Sequence, residues 1–169
     1  VLVDHGEGHL DVAANGRVYF VASWETGQIQ ALDPADGSVV WTQTTEIQVS
    51  APPAVTEERV FVVGENDEGG AVIALDAKTG QPQWEETRGS SRLVTVAASS
   101  ETVYAGPQFA MDEPTIYALD QTTGESRWHF ETRRRDFGDY DEATINGIVA
   151  ADGHVFAATS GGEVHAITD

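Results

Sequence analysis

The sequence has 169 residues, 40% hydrophobic and 22% charged, long and apolar enough to bury a core and too apolar for a disordered polymer. Its 28 acidic and 9 basic residues give a net charge of −19, which argues against nucleic acid as a partner, and the lack of cysteine removes disulfides, thiolate metal sites and cysteine nucleophiles together. No window approaches the roughly 18 consecutive apolar residues of a membrane helix; no transmembrane segment or signal peptide is read, and the opening at Val1 rather than methionine predicts a piece of a longer chain.

Short runs rich in Val, Thr, Ile, Tyr, Phe and Gly between turn residues predict an all-β protein. Val1, Leu2 and Val3, within residues 1–5, read as the remnant of an outer strand of a preceding unit. The turn "ANGR" then sets up the strand of "NGRVYFVAS", "SWETG" is a short connection, and "ALDPADGSVVW" closes one strand at Asp33 and opens another at Trp41. The series returns as "EERVFVVGE", the longer connection "GENDEGG" and "ALDAKTGQPQW". A third pass runs through "SETVYAGPQ", the still longer "GPQFAMDEP" and "ALDQTTGESRW", followed by the insertion "TRRRDFGDYDEA". A fourth begins with "DGHVFAATS" and ends in "HAITD".

The spacing is regular. Asp33, Asp76 and Asp120 lie 43 and 44 residues apart, glycine follows four residues later (Gly37, Gly80, Gly124) and tryptophan eight later (Trp41, Trp84, Trp128). A period in the forties built from short strands predicts propeller blades, about four of them, at approximately 10–45, 50–89, 92–133 and 145–169. Within the phrase, the Asp carboxylate is expected to accept backbone N–H bonds across a turn and the glycine to occupy a positive-φ position. Each Trp is expected to share a strand face with Val39, Pro82 or Ser126 and to fill the wedge between neighbouring sheets. Asp33, Gly37, Trp41, Asp76, Gly80, Trp84, Asp120, Gly124 and Trp128 are therefore read as structural blade-docking residues.

The pattern Ala-x-Asp-x-x-Thr-Gly-x-x-x-Trp resembles the repeat of pyrroloquinoline quinone (PQQ) dehydrogenases and their non-catalytic relatives, including the propeller lipoprotein of bacterial outer-membrane assembly. The resemblance covers essentially the whole chain; Asp36 replaces the turn threonine of the first copy and Thr168 the aspartate of the last. It implies closure with eight blades, so that this chain is about half a ring, and an extracytoplasmic or cell-surface location. The calcium-binding Glu and Asn, catalytic Asp and vicinal cysteines of the family's enzymes cannot be matched here, Asn146 having no partner set at a recognisable spacing. No catalytic, cofactor-binding or metal residue is assigned, and PQQ and calcium enter only if the active site lies outside this segment. The histidines at 5, 9, 129, 154 and 165 occur in no metal-ligand spacing.

The acids are spread along the chain and eight of the nine basic residues are arginine, which resembles the proteins of salt-adapted archaea. In a four-stranded blade, the first-to-second and third-to-fourth strand turns lie on one side of the disc and the remaining connections on the other. The first side carries stock turns; the second carries the connections of varying length. Those connections hold the candidate partner-binding residues Trp24, Phe109, Met111, Arg133, Arg134, Arg135, Phe137 and Tyr140, rich in the arginine and aromatic types found at interface hot spots. A protein-binding or scaffolding module follows, with a dehydrogenase propeller or the sensor domain of a larger membrane-attached or kinase protein as alternatives. The last unit has three strands and an open apolar edge, predicting either closure by Val1–Val3 or, in better accord with eight blades, edge-to-edge association of two copies of the chain or the remainder of the same propeller.

Overall fold

The computed structural model describes residues 9–23, 27–89, 91–107, 115–131, 145–151 and 153–168. They form four antiparallel sheets that follow one another in sequence. The first joins β1 (His9–Ala14), β2 (Arg17–Ser23), β3 (Gln28–Leu32) and β4 (Val39–Thr44) in that order. The second sets β5 (Gln48–Val49) and β6 (Ala54–Val55) end to end along one edge of β7 (Arg59–Asn66), followed by β8 (Gly69–Asp76) and β9 (Pro82–Arg88). The third is β10 (Leu93–Ala98), β11 (Thr102–Pro107), β12 (Thr115–Asp120) and β13 (Ser126–Glu131), and the fourth is β14 (Ile145–Ala151), β15 (His154–Thr159) and β16 (Val164–Thr168). This is the all-β propeller architecture that the repeat predicts.

The apolar pattern explains the stacking. β7, β8 and β11 are buried on both faces along most of their length, because each lies in a sheet sandwiched between two others. β15 alternates exposed and buried residues, as befits a strand covered on one face. Three cores fill the spaces between successive sheets. Tyr19, Val21 and Ile29 meet Ile47, Val60 and Ile73 in the first. Phe61, Val63 and Val72 meet Leu93, Val103 and Leu119 in the second, and Tyr104 and Ile116 meet Ile145, Ile148 and Val155 in the third. Each fully buried aliphatic side chain here contributes about 1.5–3 kcal/mol.

Irregularities recur at fixed places. β1, β10 and β14 each carry a register shift, at Leu10/Val12, Leu93/Thr95 and Ile145/Gly147. In the second sheet the corresponding strand is split into β5 and β6, because "SAPP" places Pro52 and Pro53, which have no N–H for the ladder, between them. Ser50 bridges the gap, its amide donating to Val63 O at 3.0 Å and its hydroxyl to Leu93 O of the next blade.

One expectation is overturned. Trp41 pairs with Ala31 but Val39 pairs with the adjacent Leu32, so a bulge at Val40 puts Trp41 and Val39 on opposite faces. The same shift separates Trp84 from Pro82 and Trp128 from Ser126. Strict alternation fails because the extra residue, Val40, Gln83 or Arg127, changes the phase of the strand just before the indole.

Candidate binding face

The blade-docking phrase is a closed hydrogen-bonded unit. Asp76 Oδ1 accepts the amides of Lys78 at 3.0 Å and Thr79 at 2.8 Å and the Thr79 hydroxyl at 2.9 Å. Asp120 does the same with the amides of Thr122 and Thr123 and the Thr123 hydroxyl, at 2.8, 3.0 and 3.4 Å. These donors favour the charged form. The Thr79 hydroxyl leads in holding the Asp76 carboxyl below the usual range, and the Thr122 amide leads for Asp120. In the first copy, where Asp36 stands for threonine, Asp33 Oδ1 accepts from the Ala35 amide at 2.8 Å and Asp36 turns instead to the Ser38 amide at 2.9 Å, which lowers its own pKa.

The turns at Asp76 and Asp120 also receive the tryptophan of the preceding blade. Trp41 Nε1 donates to Ala77 O at 3.1 Å and Trp84 Nε1 to Gln121 O at 3.0 Å. The rings lie flat over the turn glycines: a Cβ on Gly80 would sit 2.6 Å from Trp41, and one on Gly124 2.9 Å from Trp84. Gly80 and Gly124 also have φ of 74° and 77°, so conformation and space both demand glycine. Ala77 O takes two further donors, Arg17 Nη1 at 2.7 Å and Tyr19 Oη at 3.3 Å, and burial pushes the Tyr19 phenol up, keeping it a neutral donor.

A further row went unread in the sequence. Tyr19 pairs with Ala31 and Ala31 with Trp41; Phe61, Ala74 and Trp84 form the same triplet, as do Tyr104, Ala118 and Trp128. The small alanine lets the flanking rings meet across it, with centroids 5.9, 5.9 and 5.8 Å apart. The signal was the alanine opening every "ALD" together with an aromatic at 19, 61, 104 and 156.

All of this consolidates one side of the stack. On it, the amides of Ala77 and Gln121 donate to Glu58 O and Glu101 O of the first-to-second strand turns, both at 2.9 Å. Neighbouring blades are also linked there, by Asn15 Nδ2 to Thr56 O and by Thr56 Oγ1 to Gln121 Oε1. The opposite side includes the described second-to-third strand connection Gly64–Gly70. The candidate residues Trp24, Phe109, Met111, Arg133, Arg134, Arg135, Phe137 and Tyr140 lie outside the described residues.

The connection Gly64–Gly70 is described, and differs from the irregular loop expected of it. β7 and β8 simply run longer, with Glu65 paired to Gly70 and Asn66 to Gly69, and a two-residue turn closes them. Asn66 Oδ1 fixes that turn by accepting the amides of Glu68 at 2.9 Å and Gly69 at 3.1 Å. Beside it lies an open groove of about 620 Å³ lined by residues 45–48, 65–68 and Glu85. Its carboxylates are Glu46, Glu65, Asp67, Glu68 and Glu85; Arg92 Nε stands 3.9 Å from Glu65, and Asn66 Nδ2 donates to Glu85 at 3.2 Å. Among the described residues no three His, Cys, Asp or Glu side chains are grouped to hold a metal ion. The groove is suited to a cationic surface and offers no nucleophile paired with a base.

Stacked antiparallel blades, with Trp41 and Trp84 seated on the turn of the blade that follows, define a repeat β-propeller. A family model described as outer membrane protein assembly factor BamB, of the PQQ-repeat class, matches residues 3–136, and the chain belongs to that family. Among curated relatives, it is 28% identical to outer membrane protein assembly factor BamB of Kangiella koreensis over 88% of this chain and 34% of that protein. It is 26% identical to tetrathionate hydrolase of Acidithiobacillus ferrooxidans over 73% of this chain and 24% of that one, and 29% identical to the serine/threonine-protein kinase AfsK of Streptomyces griseus over 85% and 17%. The chain thus spans about a third or less of these relatives. In fold it is similar to BamB from Moraxella catarrhalis, with a TM-score of 0.65, 20% identity and 94% of this chain on 48% of that one. Quinohemoprotein alcohol dehydrogenase from Comamonas testosteroni is similar too, with a TM-score of 0.68, 20% identity, and 89% of this chain on 29% of that one. No helix among the described residues is long and apolar enough to cross a membrane.

Proposed function

We propose that this chain is a non-catalytic protein-binding or scaffolding module of a salt-adapted organism, acting outside the cytoplasm and binding its partner through the side that carries the variable connections. The observation that supports this most is the division of labour between the two sides. Turn carbonyls and tryptophans on one side join blades, and the Asp carboxylates close the turns that receive those tryptophans, leaving the other side free to vary. Membership of a family described by an outer-membrane assembly factor supports the protein partner and the location. Replacing Arg133, Arg134 and Arg135 with serine tests the reading: capture of the partner from a lysate of the source cells is expected to fall while the melting temperature holds. Equal capture by both versions leaves the arginines as charge balance alone.

The likeness to a quinohemoprotein dehydrogenase favours a second reading, in which this segment is the propeller portion of a PQQ-dependent dehydrogenase whose active site lies elsewhere. Calorimetry with PQQ and calcium separates the two. The scaffold reading expects no saturable binding to the 169-residue chain and none to the full-length protein, whereas the dehydrogenase reading expects calcium-dependent binding by the full-length protein.

A further inference from the structure

The chain has three asparagines, and two of them, Asn15 and Asn146, are followed by glycine. A glycine amide nitrogen, unshielded by a side chain, can lose its proton and attack the Cγ of the asparagine before it. The new N–Cγ bond expels the side-chain nitrogen as ammonia, and water then opens the cyclic imide at one of its two carbonyls. The product is aspartate or, with the backbone rerouted through Cγ, isoaspartate; nothing is oxidised or reduced. This chemistry makes asparagine a thermolabile residue.

The structure sets the two Asn-Gly pairs apart. Asn15 and Gly16 form the two-residue turn between β1 and β2, and the ladder closes outside them with Ala14 paired to Arg17. Their φ values of 53° and 69° are both positive, as a tight hairpin turn of this kind demands. Both residues are exposed, and nothing lies within 4 Å of a Cβ position on Gly16, so the turn has room for the ring to close. That exposure belongs to the position in the blade: Glu57 and Glu58, at the same place in the second blade and with a blade on either side, are exposed as well. Asn146 lies instead within β14, where Gly147 is held in the ladder opposite Ala158. Asn66 is followed by Asp67, and its Oδ1 is engaged by the amides of Glu68 and Gly69.

Asn15 also holds two blades together. Its Nδ2 donates to Thr56 O of the second blade, and the residue after the turn, Arg17, donates through Nη1 to Ala77 O at 2.7 Å and Lys78 O at 3.0 Å. We propose that Asn15 is a site of spontaneous deamidation whose product releases the first blade from the second. Either product sets a carboxylate, which only accepts, against a carbonyl that needs a donor. The isoaspartyl form also adds a backbone carbon to a two-residue turn. The pairing of Ala14 with Arg17 cannot absorb that extra length, so Arg17 is drawn off its two carbonyls.

The test is to age the 169-residue chain in mildly alkaline buffer and read each asparagine by peptide mapping with fragmentation that distinguishes aspartate from isoaspartate. Both products are expected to accumulate at residue 15 ahead of residues 66 and 146. Asn15→Gln is expected to remove them, and Gly16→Ala, which places a methyl beside the attacking nitrogen, to slow them. Aged chain separated by anion exchange is expected to show faster hydrogen exchange at Ala14 and Arg17. Asn15→Asp, which lacks the bond to Thr56 O without lengthening the turn, is expected to melt about 2–4 °C below the parent, and the isoaspartyl chain lower still. An intact Asn15 in chain whose Asn146 has been converted, or in chain with no conversion at all, overturns the site. An isoaspartyl chain that melts with the parent overturns the release of the blade.

Discussion

Replacing Gly80 with alanine tests whether the indole of one blade is truly seated on the turn of the next. Two costs are expected. The backbone at φ 74° is left-handed, which costs a residue bearing a Cβ about 1–2 kcal/mol. The new methyl would also lie 2.6 and 2.7 Å from ring atoms of Trp41, whose ring is held by its bond to Ala77 O and by Tyr19, so relief requires displacing it at about 1–3 kcal/mol. Gly16 is the internal control: its φ is 69° and nothing lies within 4 Å of its Cβ position, so Gly16→Ala carries the backbone cost alone. Urea unfolding followed by tryptophan fluorescence should therefore give about 1–2 kcal/mol for Gly16→Ala and about 2–5 kcal/mol for Gly80→Ala. In a Trp41→Leu background the cost of Gly80→Ala should fall to that of the control, the difference being the coupling between blades. Equal losses at Gly16 and Gly80, or an undiminished loss in the Trp41→Leu background, would refute the seating.

Trp84→Phe is expected to cost more than Trp41→Phe when melting temperatures are compared, because Ala77 O keeps Arg17 Nη1 and Tyr19 Oη as donors when the Trp41 indole is lost. Gln121 O loses the Trp84 donor, at about 1–3 kcal/mol if the carbonyl stays buried. The lowered carboxyl pKa values of Asp76 and Asp120 set a pH dependence. Their stabilising contribution is fully present above the unfolded-state value near about 4 and is lost as pH falls through the lower folded-state values. Acid titration of Asp76→Asn and Asp120→Asn should accordingly show a shallower loss of stability below about pH 4 than the parent chain. With a net charge of −19, the melting temperature should rise between about 0.1 and 3 M KCl; an unchanged value would count against salt adaptation.

The blade was legible because its signature is local. Asp76, Thr79 and Gly80 must lie within five residues of one another to close a turn, so the chain spells them together, and Trp84 follows at the distance one hairpin imposes. The bulges at Val40, Gln83 and Arg127 were not legible, since a bulge is a relation to the partner strand and leaves no residue type of its own. Nor was the seat of the indole: Ala77 O and Gln121 O are backbone atoms, and the sequence names no carbonyls. The split of the second blade's first strand did have a signal, in Pro52 and Pro53. The extra length at Gly64–Gly70 misled because insertion length does not distinguish a longer loop from two longer strands. The acidic groove was not legible as a groove, because the connection at residues 45–48, the β7–β8 turn at 65–68 and Glu85 line it only once the second sheet has folded.

The forward seating of each tryptophan gives the stack a polarity. Blade one holds its outer strand in place with a turn that belongs to blade two, and blade two relies in the same way on blade three. Damage should therefore travel backwards: a fault introduced in the turn at Gly80 is felt at β4, forty residues upstream, while β9, which shares its hairpin, keeps its own indole locked on Gln121. In a repeat array coupled between nearest neighbours, each such latch ties an outer strand to the turn that follows it, so that loosening either one loosens the other.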